Sequence, residues 1–521
     1  MKLILPFLAC ALLTPLHAAV RLAPLFADGA VLQREKPVPI WGTAAAGEKI
    51  SVSFASQSLS TTAGTDGHWR VTLAALPASD SPRELIVKGT NILTVRDVLV
   101  GEVWLASGQS NMEWPLAYCT NAKAEIDAAK FPLVRQFKVA RQPSFTPLPT
   151  VDGAWTPALP ATAGQFSGVA YYFALELHRR LNVPVGILNS SWGGTGIDPW
   201  ISPDAYRSTP GLSAAFANYE KGPRANPVEK AAYEDLRATW EKARDAAKAA
   251  KQPFTEPAPK APAGFPTYRT ITALNNGMIA PLAPFALRGA IWYQGESNTS
   301  HASGYALRLT ALVSGWRTQF AQPDLPVYWV QLPNFDHGNR NSDTWHWAEL
   351  REAQTKALAT PNTGQAITID VGEEKGLHPK NKKPVGERLA LLALARTYAV
   401  KGVIDSGPVF EKAVREGRAY RVTYQTSPSP LKAAPAGLTG FELAGADQVF
   451  HPADARIDGT TVVITSAAVA EPVAVRYAYR NAPIAGLFNA EGLPAAPFRT
   501  DTWPAPKAAK SPTPPPPIPE S

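Results

Sequence analysis

The pentapeptide Gly108-Gln109-Ser110-Asn111-Met112 follows the apolar run 98–105, so its serine falls where a strand hands over to a helix. A hydroxyl at such a turn is exposed at the carboxyl edge of a sheet, and the backbone amides beside it can receive a developing oxyanion. Ser and Asn are also ordinary helix N-cap residues, so the pentapeptide alone reads equally well as a cap. Three further apolar runs end in small, polar or titratable residues: 183–200 (VPVGILNSSWGGTGIDPW), 287–298 (LRGAIWYQGESN) and 366–390 (AITIDVGEEKGLHPKNKKPVGERLA). In an open α/β sheet the loops leaving the carboxyl ends of strands converge on one crevice. Those loops bring a serine, a glycine pair, amide side chains and a late histidine, which are the parts of a serine esterase.

A serine hydroxyl is a weak nucleophile unless a base lies within hydrogen-bond reach. Of the eight histidines, His17 lies in an apolar leader, His68 and His451 in β-rich stretches and His178 on a helix. His301, His337, His346 and His378 remain. The expected oxyanion donors are the amide of Ser110, an amide from Gly193 or Gly194, where a Cβ would block close approach, and the side chain of Gln294, with Asn298 as its rival. Glu296 either accepts hydrogen bonds from the serine loop or pairs with a cation. Gln109, Asn111 and Trp192 flank these groups. Of Trp104, Trp114, Trp192, Trp200 and Trp292, two are expected against a sugar ring and the rest in the core. No HxxxH or paired His/Asp spacing is present, so neither a metal nor another cofactor is expected.

The elements that position these residues follow from the pattern along the chain. Residues 1–19 hold one lysine, an apolar stretch and a closing Ala18-Ala19, which reads as a signal peptide and predicts an exported, periplasmic or extracellular protein. Cys10 would leave with it, making Cys119 the sole thiol. Short β-rich runs over 20–97 predict an N-terminal antiparallel sandwich. The catalytic domain is expected over 98–402, with helices over 121–129, 169–181 and 385–400. A Lys-, Glu-, Ala- and Pro-rich insertion at about 219–262 carries an amphipathic helix, with Glu241 and Arg244 spaced to pair. A second β region follows over 403–503, and 504–521 is a Pro-rich tail. No stretch downstream of the leader approaches the roughly 20 apolar residues of a membrane span. The formal charge is +8, but charged residues are 18% of the chain and form no dense basic run, so nucleic acid is not the expected partner.

The order Ser, Gly, amide, His resembles the SGNH hydrolases. The blocks GEVWLASGQSNMEWPL, SSWGGTGIDPW, WYQGESN, LHPKNKKPVGERLA and PVAVRYAYRNAPIAGLFNAEGLPAAPFRTDTW resemble the signature blocks of the sialate O-acetylesterase-like carbohydrate esterases, in the right order from Phe26 to Trp503. The resemblance implies an α/β fold: an SGNH-type three-layer α/β/α catalytic domain with flanking antiparallel β-sandwich regions. It implies metal-free hydrolysis of acetyl esters on the hydroxyls of an O-acetylated glycan, whether sialate 9-O-acetyl, acetylated xylan or another. Within it, the LHPKNK context selects His378 as the base of Ser110. The third triad member departs from the common pattern, because Lys375 stands three residues before His378 and Gly376 two before. Asp370, Glu373, Glu374 or a backbone carbonyl is left to orient the histidine, or the enzyme works as a dyad. The competing reading is a catalytically inactive glycan-binding protein on the same scaffold.

Overall fold

The computed structural model describes residues 19–224, 227–250, 252–336, 346–425 and 429–504. The leader with Cys10 and His17, the rival His337, and the tail beyond residue 504 lie outside them.

One strand, Ile92–Gly108, organises the molecule. Up to Asp97 it still exposes residues, as a strand does when one face of an antiparallel pair meets water. From Val98 to Gly108 every residue is buried, the pattern of a parallel strand covered on both faces. Its first half pairs antiparallel with Ser79–Lys88. Its second half lies between Val185–Ser191 and Gly289–Tyr293, parallel to both. The N-terminal strands and the sheet of the serine therefore share a backbone ladder across the 97/98 boundary. They also share one apolar core, running from Val20 and Phe26 through Trp104 and Leu188 to Leu389 and Leu394.

The strand order across the sheet is Gly153–Ala158, Phe131–Val139, Val185–Ser191, Ile92–Gly108, Gly289–Tyr293, Val327–Val330, Thr363–Ala366. All neighbours are parallel except the outermost Gly153–Ala158. Helix Gly168–Leu181 starts one residue before its predicted limit, and Lys383–Leu392 continues as a π turn, Ala393–Thr397. These two helices pack on each other and on the sheet. The early helix is Ala122–Asp127.

The insertion forms the helix Pro227–Ala249. Its aromatic face folds back onto the Pro-rich segment that follows, with Trp240 Nε1 donating to Glu256 O at 2.9 Å and Tyr233 edge-on to Phe265 at 4.5 Å. Glu241 pairs with Arg237, one turn earlier, while Arg244 turns to Asp245, so the expected Glu241–Arg244 pair does not form.

The C-terminal region has its own core, built by Val422, Leu443, Ile464, Val475 and Tyr477, between two four-stranded antiparallel sheets. Arg351, fully buried, ties it to the parallel-sheet region through the carbonyls of Leu332, Pro333, Arg480 and Asn481. Among the described residues, no helix is long and apolar enough to cross a membrane, and no group of three or more His, Cys, Asp and Glu could hold a metal ion.

Candidate active site

Gly108, Ser191 and Tyr293 are register partners at the carboxyl ends of three adjacent parallel strands, so the loops that follow meet at one place. Gly108 has a φ of +139°, and a Cβ there would lie 2.1 Å from Tyr293 O; no other residue fits this turn. Ser110 opens the short helix Ser110–Glu113. Ser167 holds that helix from the side, its hydroxyl donating to Met112 O at 2.5 Å while accepting from Ala170 N.

His378 arrives from the loop after the far strand Thr363–Ala366, and its Nε2 lies 2.8 Å from Ser110 Oγ. Its ring stacks on Trp114 at 4.9 Å and 20°. Burial, with the nearby charge of Lys382, holds the imidazole below the ordinary histidine value. The rivals are elsewhere: His301 bonds Ser300 Oγ on an exposed turn, and His346 sits 3.6 Å from Glu349.

None of the candidate acids touches His378. Asp370 makes a double hydrogen bond to Arg388. Glu373 accepts the Lys380 amide at 2.7 Å, closing the loop that carries the histidine. Glu374 is exposed on the same loop.

The expected oxyanion donors differ in the partners they already hold. Gln294 is fully buried, and its Nε2 faces three acceptors, Gln109 Oε1, Thr195 O and Asn298 Oδ1, at 2.7–3.2 Å. Its Oε1 accepts from Tyr305. An amide has two donor hydrogens, so Gln294 is committed to holding its neighbours. Asn298 accepts at Oδ1 from Gln294 and from Ile197 N, which turns its Nδ2 outward with no acceptor among the described residues. Gly193 lies against Ser110, since a Cβ there would come within 3.3 Å of Ser110 Cβ, and its amide donates to Glu113 Oε2 at 2.8 Å. Gly194 has a φ of +74° and open space around it.

Behind the pair, Asn111 Nδ2 donates to Glu296 Oε1 and to Leu377 O. Burial pushes the Glu296 carboxyl above the usual carboxylate range, and its Oε2 has no partner among the described residues. Trp104, Trp200 and Trp292 are fully buried core residues. Trp192, partly exposed, stacks on Tyr268 at 5.6 Å with Arg141 over its ring at 5.3 Å; Arg141 also pairs with Glu113.

Sequence reasoning missed Lys382, Glu113, Arg141 and Tyr118. Tyr118 is 63% exposed and lines an open cavity of about 480 Å³ with Trp114, Ala117, Cys119 and Lys380, next to the stacked histidine. Spacing gave no signal for it, because the helix that Ser110 opens ends at Glu113 and Tyr118 stands on a separate turn, Leu116–Tyr118.

A family model described as carbohydrate esterase, sialic acid-specific acetylesterase, matches residues 266–395. The chain is similar to a sialate O-acetylesterase of Rattus norvegicus, 30% identical over 421 residues and covering 73% of this chain and 74% of the relative. The Homo sapiens sialate O-acetylesterase is 27% identical over 432 residues, covering 75% and 74%. Among solved structures, a carbohydrate acetylesterase from Xanthomonas citri is similar with a TM-score of 0.80 and 39% identity, covering 93% of this chain and all of that one (100%). The chain thus belongs to the sialate O-acetylesterase family of carbohydrate esterases and is a carboxylic ester hydrolase.

Proposed function

We propose that the protein removes O-acetyl groups from sugar hydroxyls through an acetyl-enzyme on Ser110, with His378 as general base and then general acid. The observation that carries this reading is the 2.8 Å contact between His378 Nε2 and Ser110 Oγ; a glycan binder needs no such pair. Ser110 Oγ attacks the acetyl carbonyl as His378 takes its proton, and the imidazolium returns that proton to the departing sugar oxygen. Water then attacks the acetyl-enzyme with the same base, releasing acetate.

For the oxyanion, the reading assigns the amides of Ser110 and Gly194 and the Asn298 side chain. Support comes from the open Nδ2 of Asn298 and from the engagement of Gln294 and of the Gly193 amide elsewhere. Gln109, Gln294 and Glu296 act as buried supports. With no carboxylate on His378, Ser110 and His378 work as a dyad. The sugar that leaves is placed toward Trp114 and Tyr118, where an exposed aromatic ring adjoins the base. We assign this chemistry to an SGNH-type catalytic domain, 98–402, between β regions 20–97 and 403–503, in a protein exported on the leader 1–19.

Acetate release from p-nitrophenyl acetate, acetylated xylan and 9-O-acetylated sialoglycan tests the reading. Release by the wild type that disappears in Ser110→Ala supports it and ranks the substrates. Release that persists in the variant refutes it.

A further inference from the structure

Lys382 is buried to 1% exposure behind the catalytic pair, and the dyad reading gives it no task. Its Nζ donates to Asn111 Oδ1. The Nδ2 of the same amide donates to Glu296 Oε1 and to Leu377 O. Asn111 directly follows Ser110, and Leu377 directly precedes His378, so one side chain ties the nucleophile's turn to the base's loop. The ammonium fixes which way that amide points: flipped, it would set its oxygen against the Glu296 carboxylate and its NH2 against a cation. The rings of Tyr293 and Trp114 lie 5.4 and 6.0 Å from Nζ, and Trp114 stacks on His378.

Other charges around the histidine are already occupied or exposed. Glu113 is held by Arg141 and the Gly193 amide, Glu373 by the Lys380 amide, Glu296 by Asn111, and Glu125 by Lys383. Cys119 is a neutral thiol, pushed up to about 11 by burial. Glu374, Lys375 and Lys380 are exposed on the histidine's own loop. Lys382 is therefore the buried cation on this side of His378, with the Glu296 carboxyl on the far side of Asn111, and it makes no ion pair among the described residues.

We propose that Lys382 is a positioning residue of the esterase reaction: through Asn111 it locks the serine turn to the histidine loop, and it sets a buried cation behind Trp114, on which the base stacks. This works in the opposite sense to a triad carboxylate, which steadies the imidazolium. The acceptor form then persists to lower pH, and the imidazolium formed during acylation is a stronger acid toward the departing sugar oxygen. The lowered titration of His378, caused first by burial and then by the charge of Lys382, agrees with this. The proposal rests on the Ser110–His378 reading of the site.

The test is the pH profile of kcat/KM on p-nitrophenyl acetate for the wild type, Lys382→Met and Lys382→Arg, with an NMR titration of the wild-type His378 ring. The expected wild-type acid limb lies below the ordinary histidine value of about 6.5. Lys382→Met raises it by about half a pH unit or more and lowers kcat with KM little changed, while Lys382→Arg keeps it low. A limb that Lys382→Met does not move overturns the proposal, however much the melting temperature falls. If that variant does not fold, Lys382→Gln takes its place: a limb raised by it supports the proposal, and a limb it leaves unmoved overturns it. Absence of hydrolysis by the wild type at every pH overturns the esterase reading as well, whereas hydrolysis with an unmoved limb removes the role of Lys382 alone.

Discussion

Both oxygens of Asp370 are bound by Arg388, Nη1 to Oδ1 and Nη2 to Oδ2 at 2.6 Å each. One of the acids the sequence left to orient His378 is thus committed to a two-pronged ion pair. Asp370→Asn should weaken that pair and cost about 2–3 kcal/mol of stability, seen as a lower denaturant midpoint. Its kcat should stay within about tenfold of wild type. A loss near the roughly 10⁴-fold of a triad aspartate, in a folded variant, would contradict the dyad.

Asn298 turns an unoccupied Nδ2 outward because Gln294 and the Ile197 amide hold its oxygen. Asn298→Ala should lower kcat by about 10²-fold or more with KM changed little, the mark of a donor used in the transition state. Steady-state kinetics on p-nitrophenyl acetate checks this, and a change confined to KM would move the donor elsewhere.

Tyr118 is the exposed aromatic of the cavity beside Trp114. Tyr118→Ala should raise KM severalfold for an acetylated glycan, and leave p-nitrophenyl acetate, which has no sugar to place there, unaffected. Equal effects on both substrates would argue against a sugar contact.

The turn at Gly108 was legible in sequence because an apolar run ending in Gly-Gln-Ser fixes both the strand and its exit. The histidine's partner was legible from the LHPKNK block. The choice between Gln294 and Asn298 was not: four residues apart in one loop, they carry the same group, and which one is free depends on Thr195, Gln109 and Ile197, distant in the chain. Lys382 carried no signal of its own, since nothing in KNKK marks which lysine turns inward. The 97/98 boundary hid a continuous strand, because a β-rich run looks alike on either side of it. Sequence also gave no warning that Glu113 would take the Gly193 amide, a contact between residues eighty apart.

The central claim is that Ser110 becomes covalently acylated. Treating the protein with a p-nitrophenyl phosphonate, which phosphonylates activated serines, and mapping the adduct by peptide mass spectrometry tests it most directly. The account predicts one adduct, on Ser110, formed as activity is lost and absent in His378→Ala. An adduct on another residue accompanying inactivation, or full activity with Ser110 stoichiometrically modified, would contradict it.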